Sequence, residues 1–408
     1  MAISVLSGSP QAATPVYNKI LFKVSGSLIA QTNYRYVCDV KNAAGTTTLA
    51  RLKCDKLPIT NYGFFDVQKV VETLMAPTVP TLTQAGFADH AGFYSGYRLT
   101  FMEEYGSTPV VQTGTTTNVT GNVAFAGNLE QLELADWDAD VYFPANALQG
   151  GEKALTTTNE VVLTSPRNAI KQVYSDSYGW LCVGAGYSGA VVSAQVVYTD
   201  SVGNIARNFY VARPSSVSGS IHRFGAGPMN LKALTSGQCS DGQAGSVNFP
   251  TEEGAGYYIL FVDVADAGYE AVWYRIGPCQ RFNSQPVHFV NKYGGIDSYT
   301  FTLKNRKLAN VQRDTFGYNT DVYATLTYDK VWAGSFDYVY QLNSDWLTDA
   351  ESEWLIELVR SGQVWLEIDG NLVEAVVNAN QYQFVTRRND QLQQLQIEIA
   401  VAYKNNIL

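Results

Sequence analysis

The most suggestive chemical motif in this sequence is the glycine run Gly184-Ala-Gly186-Tyr-Ser-Gly189. It follows the apolar stretch Trp180-Leu-Cys-Val183, and Asp200 lies sixteen residues after the first glycine. A dinucleotide site of this pattern rests its pyrophosphate on a helix that starts at once. Here the glycines run into Ala190-Val-Val-Ser-Ala-Gln-Val-Val-Tyr198, a β-branched segment too short for a helix and a second strand before Asp200. A glycine-rich connection between strands is expected, with no cofactor. The run Asp136-Trp-Asp138-Ala-Asp140 copies the start of a calcium loop. Such a loop also needs Gly at its sixth position and Glu at its twelfth; Val141 and Ala147 stand there. No metal is expected, and Trp137 should pack inward.

Nucleophilic chemistry finds little support. His90, His222 and His288 lie more than sixty residues apart. Ser188 in Gly-Tyr-Ser-Gly-Ala lacks the last glycine of a nucleophile elbow. Arg167, Arg207 and Arg223 are isolated and read as surface or ion-pair residues. Cys38, Cys54, Cys182, Cys239 and Cys279 are odd in number and never spaced C-x-x-C, so they read as reduced, buried thiols rather than a disulfide or zinc framework. Tyr178, Trp180, Tyr187, Trp273, Tyr274 and Trp332 could build a sugar-stacking shelf, but read better as strand cores. The chain is expected not to be an enzyme.

Composition points the same way. Of 408 residues, 46% are hydrophobic, enough for sizeable cores, and only 16% are charged, against about 25% in typical soluble proteins. The low charge and the 26 Tyr suit surfaces that bury against neighbours. A net charge of −9 argues against a nucleic-acid-gripping protein; the tightest basic cluster is Lys304, Arg306, Lys307 and Arg313. No apolar stretch has the length of a signal-peptide core or a membrane helix, so no membrane partner is expected, and the cysteine usage fits a reducing cytoplasm.

The elements that would have to position any site are mostly strands. Segments 17–24, 34–40 and 48–54 are β-formers, the last two joined by a turn at Asn42-Ala-Ala-Gly45. Asp66 can cap a helix whose apolar residues Val67, Val70, Val71, Leu74 and Met75 share one face. Residues 97–102 and 139–143 read as strands, and 112–122 as an exposed loop or weak edge strand. The pair 190–199 and 205–212, turning through Asp200–Asn204, repeats the organisation of 34–54. In both places a Pro-containing polar segment follows, then Gly63-Phe-Phe or Gly219-Ser-Ile. That is a sign of two related sandwich units. Strands at 257–264, 272–276, 298–303, 321–328 and 336–342 precede the clearest helix, with a Thr348/Glu351 capping box, Trp354 and Leu358 on its apolar face, and Gly362 as its stop. Segments 363–368 and 372–377 flank the hairpin signal Asp369-Gly370. Segment 381–386 precedes a last strand, 391–403, that alternates apolar and polar residues.

The fold expected is mainly β: immunoglobulin- or fibronectin-III-like β-sandwich modules in a multi-domain chain, with a small C-terminal α+β unit. The boundaries expected are 1–90 for a first sandwich with one helix, 91–168 for a β-rich domain or insertion, 169–315 for a second sandwich region and 316–408 for the C-terminal unit.

Three patches resemble virion structural proteins of tailed bacteriophages, especially those infecting Bacteroidetes-type hosts. The first is Pro15-Val-Tyr-Asn…Asn33-Tyr-Arg-Tyr…Gly63-Phe-Phe-Asp-Val, similar to a fibronectin-III-like module. The second is His288-Phe-Val-Asn-Lys-Tyr-Gly-Gly-Ile-Asp-Ser-Tyr-Thr-Phe-Thr-Leu303 with Lys304-Asn-Arg-Lys307. The third is Trp346-Leu-Thr-Asp-Ala-Glu-Ser-Glu-Trp354-Leu, then Val364-Trp-Leu-Glu-Ile and Tyr382…Thr386-Arg-Arg-Asn-Asp. These motifs are architectural and imply no catalytic residues. They imply a tail, baseplate or neck component, assembled in the host bacterial cytoplasm, whose partners are copies of itself in a ring and other virion tail or neck proteins. Trp346, Trp354, Leu358, Trp365, Tyr382 and Tyr403 are the residues expected at the assembly interface, with the last strand free to extend a neighbour's sheet. The alternative reading is a carbohydrate-binding adhesin or receptor-binding tail tip.

Overall fold

A computed structural model describes residues 3–139, 170–184, 191–215, 221–263, 271–278, 284–318, 328–347, 349–378, 394–403 and 405–407, with Phe282 besides. With 51% strand and 8% helix, the chain is mainly β and is built from β-sandwiches.

The first sandwich packs a three-stranded sheet (Ser4–Val5, Leu21–Ser25, Gly63–Asp66) on a five-stranded one. The latter runs Ala13–Pro15, Val110–Phe125, Tyr94–Tyr105, Arg35–Asn42, Thr48–Asp55. Phe22, Val24, Tyr36, Cys38, Leu99 and Phe101 fill the space between. Alternation explains the assignment, since every second residue of these strands faces the partner sheet. The short helix Gln68–Glu72 closes one side. Asp66 Oδ1 accepts the Gln68 N–H at 3.1 Å, and Val67 and Val71 are fully buried.

The second sandwich repeats this plan. Its five-stranded sheet runs Ile170–Val173, Val272–Ile276, Gly256–Asp263, Val191–Thr199, Ile205–Ala212. In both large sheets the chain's first strand pairs in parallel with the last, and the second and third form the hairpin at the far edge. The small sheets correspond as well: Gly63–Asp66 and Ile221–Gly225 each follow that hairpin and each precede a short helix, the latter being Pro228–Lys232. The repeat legible in the sequence is therefore a repeat of topology.

The third body is an eight-stranded antiparallel sheet. It runs Ile296–Phe301, Gln285–Val290, Val364–Ile368, Asn371–Val377, Gln396–Val401, Tyr328–Asn343, Arg306–Tyr318, with Asn405–Ile407 beside Tyr328–Asn343. Asp349–Trp354 and Ile356–Arg360 lie over one face, where Trp354, Leu355 and Leu358 join Phe289, Leu342, Ile397 and Ile399. The single helix expected here is thus two short ones, meeting at Leu355, and Thr348 lies outside the described residues. Asp369 and Gly370 both have positive φ, as the expected two-residue hairpin turn requires.

The expected boundaries need correction. Strands Tyr94–Tyr105 and Val110–Phe125 complete the first sandwich rather than forming a domain of their own, because Tyr94–Tyr105 pairs along the whole of Arg35–Asn42. Phe87–Asp89 pairs with Ile221–Gly225, in the second sandwich. The C-terminal sheet starts at Gln285, not near 316, since Val287–Phe289 pairs with Val364–Leu366. A small α+β unit confined to 316–408 is not what forms.

Trp354 is 6% exposed, packs on Phe289 and Tyr299, and donates its indole N–H to Asp297 at 3.3 Å. Trp354→Ala should cost about 3–5 kcal/mol. Trp346→Ala, at a residue 58% exposed, should stay within about 0.5 kcal/mol. Urea midpoints of the two variants test this; equal losses would overturn it.

Candidate assembly surface

The C-terminal sheet ends in strands that reach beyond its own core. Strands Arg306–Tyr318 and Tyr328–Asn343 form a long hairpin, in register from Arg306↔Gln341 to Tyr318↔Tyr328, with a bulge at Asp314/Thr315. Residues 306–317 are all exposed. Their strand ends the sheet order, so one edge carries backbone N–H and C=O groups with no strand partner among the described residues. Such an edge is a template for another strand.

The hairpin's side chains add to this. Tyr340 is buried in the C-terminal core and Tyr338 packs at its margin. Phe336 follows on the same face and meets Tyr338 edge-on at 5.3 Å, and Val311 stands opposite Phe336. The apolar stripe that the helices cover near the core therefore continues outward along the hairpin. Lys307 Nζ sits 3.9 Å from the centre of the Tyr338 ring. Further out, at the bulge, Trp332 is 68% exposed and Val331 42%. A stripe of this kind on a projecting arm is the usual mark of a surface that a partner covers.

The residues expected at the interface divide. Trp346 and Tyr403 are exposed. Trp354 and Leu358 are core residues of the C-terminal unit, and Trp365 is buried with Phe93, Trp180 and Val290 where the three bodies meet. Their apolar surface is consumed inside one subunit, so they cannot contact another. Tyr382 lies outside the described residues. The strand Gln396–Val401 alternates as expected, with Ile397, Ile399 and Val401 inward. It cannot extend a neighbour's sheet, however, because both its edges are already paired. The free edge is Arg306–Tyr318, whose polar sequence gave no strong strand signal; its legible trace was the basic group Arg306, Lys307 and Arg313.

The titratable groups are used internally. His288 Nδ1 lies 2.8 Å from Ser298 Oγ across two paired strands, and its Nε2 faces Glu367 Oε2 at 3.7 Å. Sequence spacing could not reveal this Ser–His–carboxylate set, since it forms only through strand register. The void beside Ser298 is about 20 Å³, room for a single water, and the His288–Glu367 contact is too long for a hydrogen bond. His90 Nε2 lies 2.9 Å from the Gly294 carbonyl, which fixes that nitrogen as the donor and turns Nδ1 toward Arg223. Arg207 spends its guanidinium on Asp241 and three loop carbonyls, and Arg223 donates to Gln84. Burial pushes the Cys182 thiol up to about 12 and Cys54 to about 11, away from nucleophilic use. Trp137 packs inward, its indole donating to the Ala13 carbonyl at 2.9 Å. Arg167, Tyr187, Cys279, Asp140 and the glycine run beyond Gly184 lie outside the described residues. No group of three metal-ligating side chains occurs among the described residues, and no helix among them is long and apolar enough to cross a membrane.

A cleft of about 340 Å³ lies between the first sandwich and the C-terminal unit, lined by Tyr17, Lys69, Asn128, Lys292, Glu357 and Arg360 among others. Lys292 pairs with Glu133 at 2.6 Å and Arg360 with Glu130 at 2.7 Å, tying the two bodies together. Glu357 accepts the Lys292 N–H at 3.0 Å. Its burial outweighs the nearby Arg360 and Lys292 charges and raises it to about 7.

No protein-family model and no curated protein matches the sequence. Among solved structures, trypsin-activated α2-macroglobulin from Escherichia coli aligns over 97% of this chain and 21% of its own, at 9% identity and a TM-score of 0.20. The native conformation of that macroglobulin gives 97%, 20%, 9% and 0.20. The fibronectin(III)-like modules of Clostridium thermocellum CbhA align over 69% of this chain and 99% of theirs, at 8% identity and a TM-score of 0.16. The chain spans about a fifth of the length of the macroglobulins it matches.

The buried ionisable groups set the pH dependence. Burial and the Arg223 charge lower His90 to about 3, and burial and Arg213 lower His222 to about 4. Below pH 6.5 the unfolded chain binds protons that the folded one refuses. The stability these residues confer is therefore complete above pH 6.5 and falls as pH drops toward 3–4, by about 1.4 kcal/mol per pH unit for each histidine. Glu357, raised, acts oppositely: its contribution is present below about pH 4.5 and is lost as pH rises through about 7. Urea midpoints from pH 4 to 8 should show a shallower acid loss in His90→Gln, and a smaller loss between about pH 4.5 and 7 in Glu357→Gln, than in the wild type. Parallel profiles for all three proteins would refute the assignment.

Proposed function

We propose that this chain is a non-enzymatic structural subunit of a tailed-phage virion, a tail, baseplate or neck component. Copies join in a ring through the projecting hairpin and contact other virion proteins, after assembly in the host cytoplasm. The observation that carries the reading is the hairpin itself. A 13-residue strand with a free edge is a template for another strand, and an uncovered extension of the core's apolar stripe is costly to leave in water. A neighbouring copy that adds a strand and packs on Val311 and Phe336 uses the first and removes the second. The low charge, the Tyr-rich composition and the use of every histidine inside the fold support the same reading, as does the resemblance carried by the three sequence patches.

Mass photometry and negative-stain imaging of the full chain test it. The wild type should form a closed oligomer, and the double variant Val311→Asp/Trp332→Ala should be shifted to monomer with a thermal midpoint within a few degrees of wild type. A wild type that stays monomeric at high concentration, or a double variant that assembles normally, would reject the proposal.

A further inference from the structure

The outer face of the second sandwich's large sheet carries side chains that packing does not account for. Trp273 and Tyr258 stand opposite each other on adjacent strands, with ring centres 4.4 Å apart. Trp273 is 37% exposed. Continuing across the sheet in the same row come Val197 and then Asn208. One step along the strands, Gln195 stands next to Tyr210, which is 41% exposed. Gln195 Nε2 donates to Asn208 Oδ1 at 3.1 Å, so the two amides hold each other in place. Val197 shares this face yet has no exposure at all.

The sequence offered Trp180, Tyr274 and Trp273 together as shelf candidates. Strand alternation separates them: Tyr274 points into the core, Trp180 is buried at the junction, and Trp273 alone of the three faces out. Its companions on that face, Tyr258 and Tyr210, are residues that spacing along the chain could not associate. They meet because Gly256–Asp263 lies between Val272–Ile276 and Val191–Thr199, and the Ile205–Ala212 hairpin strand lies next in order.

We propose that this face is a saccharide-binding platform for a neutral hexopyranose chain. A pyranose ring presents axial C–H groups on its faces and hydroxyls at its rim. The electron-rich faces of Trp and Tyr attract the former, and planar amides offer both donor and acceptor to the latter. Tyr258 and Tyr210 are rooted two strands apart and two residues offset, about 12 Å between their backbone positions from standard strand spacings. Fixed amides lie between them. An apolar protein partner would instead find the aliphatic side chain in the middle of this face, Val197, already covered. The proposal is independent of assembly through the hairpin, which lies on a different sheet.

The test titrates the full chain with cellohexaose, maltohexaose and chitohexaose, following tryptophan fluorescence and heat. Saturable binding to at least one is expected, weakened about tenfold or more in Trp273→Ala and in Tyr210→Ala, and unchanged in Trp332→Ala on the hairpin. The absence of saturable binding to all three would overturn the proposal, as would equal affinity in the wild type and both platform variants. If the wild type binds no sugar and the platform variants lower the assembly mass, the face is a contact between copies, and the saccharide assignment is likewise overturned. Failure of the hairpin variant to affect assembly bears only on the virion reading.

Discussion

The architecture depends on one apolar junction. Phe93 and Ala126 from the first sandwich, Trp180 from the second, and Val290, Ile296 and Trp365 from the C-terminal sheet bury one another at the point where the three bodies meet. A neighbouring cluster does the same with Phe125, Trp137, Cys182, Ile221 and Tyr293. His90 adds a directional element: its ring stacks on Phe93 at 3.9 Å and donates to Gly294 across the seam. Apolar burial is non-directional, so it holds the bodies together without choosing an orientation. The hydrogen bond from His90 and the ion pairs of Lys292 and Arg360 select one.

That arrangement explains why polar groups of reactive type accumulate at the seams between the sheets. A histidine at a seam between sandwiches must be neutral to be tolerated there, and burial keeps His90 and His222 neutral. The serine and carboxylate near His288 are brought in by strand pairing, where the next layer of protein leaves only a water-sized space. The perturbed ionisation of these groups is thus a consequence of joining three sheets in one chain. It is the pattern expected of structural polar networks as much as of catalytic ones.

Much of this was legible along the chain, and the exceptions have a common cause. Period-two alternation located the strands, Asp369-Gly370 located a hairpin, and the repeat of a strand pair followed by glycine and bulky residues located two equivalent sandwiches. What alternation cannot specify is the partner of a strand. Tyr94–Tyr105 was recognisable as β, but its pairing with Arg35–Asn42, more than fifty residues earlier, was not. The same holds for Gln285–Val290 and Val364–Ile368, and it is why the expected boundaries fell in the wrong places. Trp354, Leu358 and Trp365 are expected from the sequence at an interface but lie in the subunit's own cores, because an apolar residue looks the same in sequence whether it faces its own core or a neighbour. The hairpin strand Arg306–Tyr318 failed for the opposite reason. Exposed on both faces, it has no core to impose a pattern, so its alternation is written mostly in polar residues.

That last feature bears on how an exposed edge can be kept from pairing indiscriminately. Arg306, Lys307 and Arg313 sit on the free strand, with a bulge just beyond Arg313. Charges and bulges are the devices by which edge strands resist casual association. On an arm whose other attributes invite a partner, they act as a filter. A strand that brings opposite charge to those positions is favoured there, whereas a generic apolar strand meets three cations. Attraction from the apolar stripe and selection by the edge charges therefore reside in one hairpin. On the proposed reading, the arm carries the specific contacts between subunits.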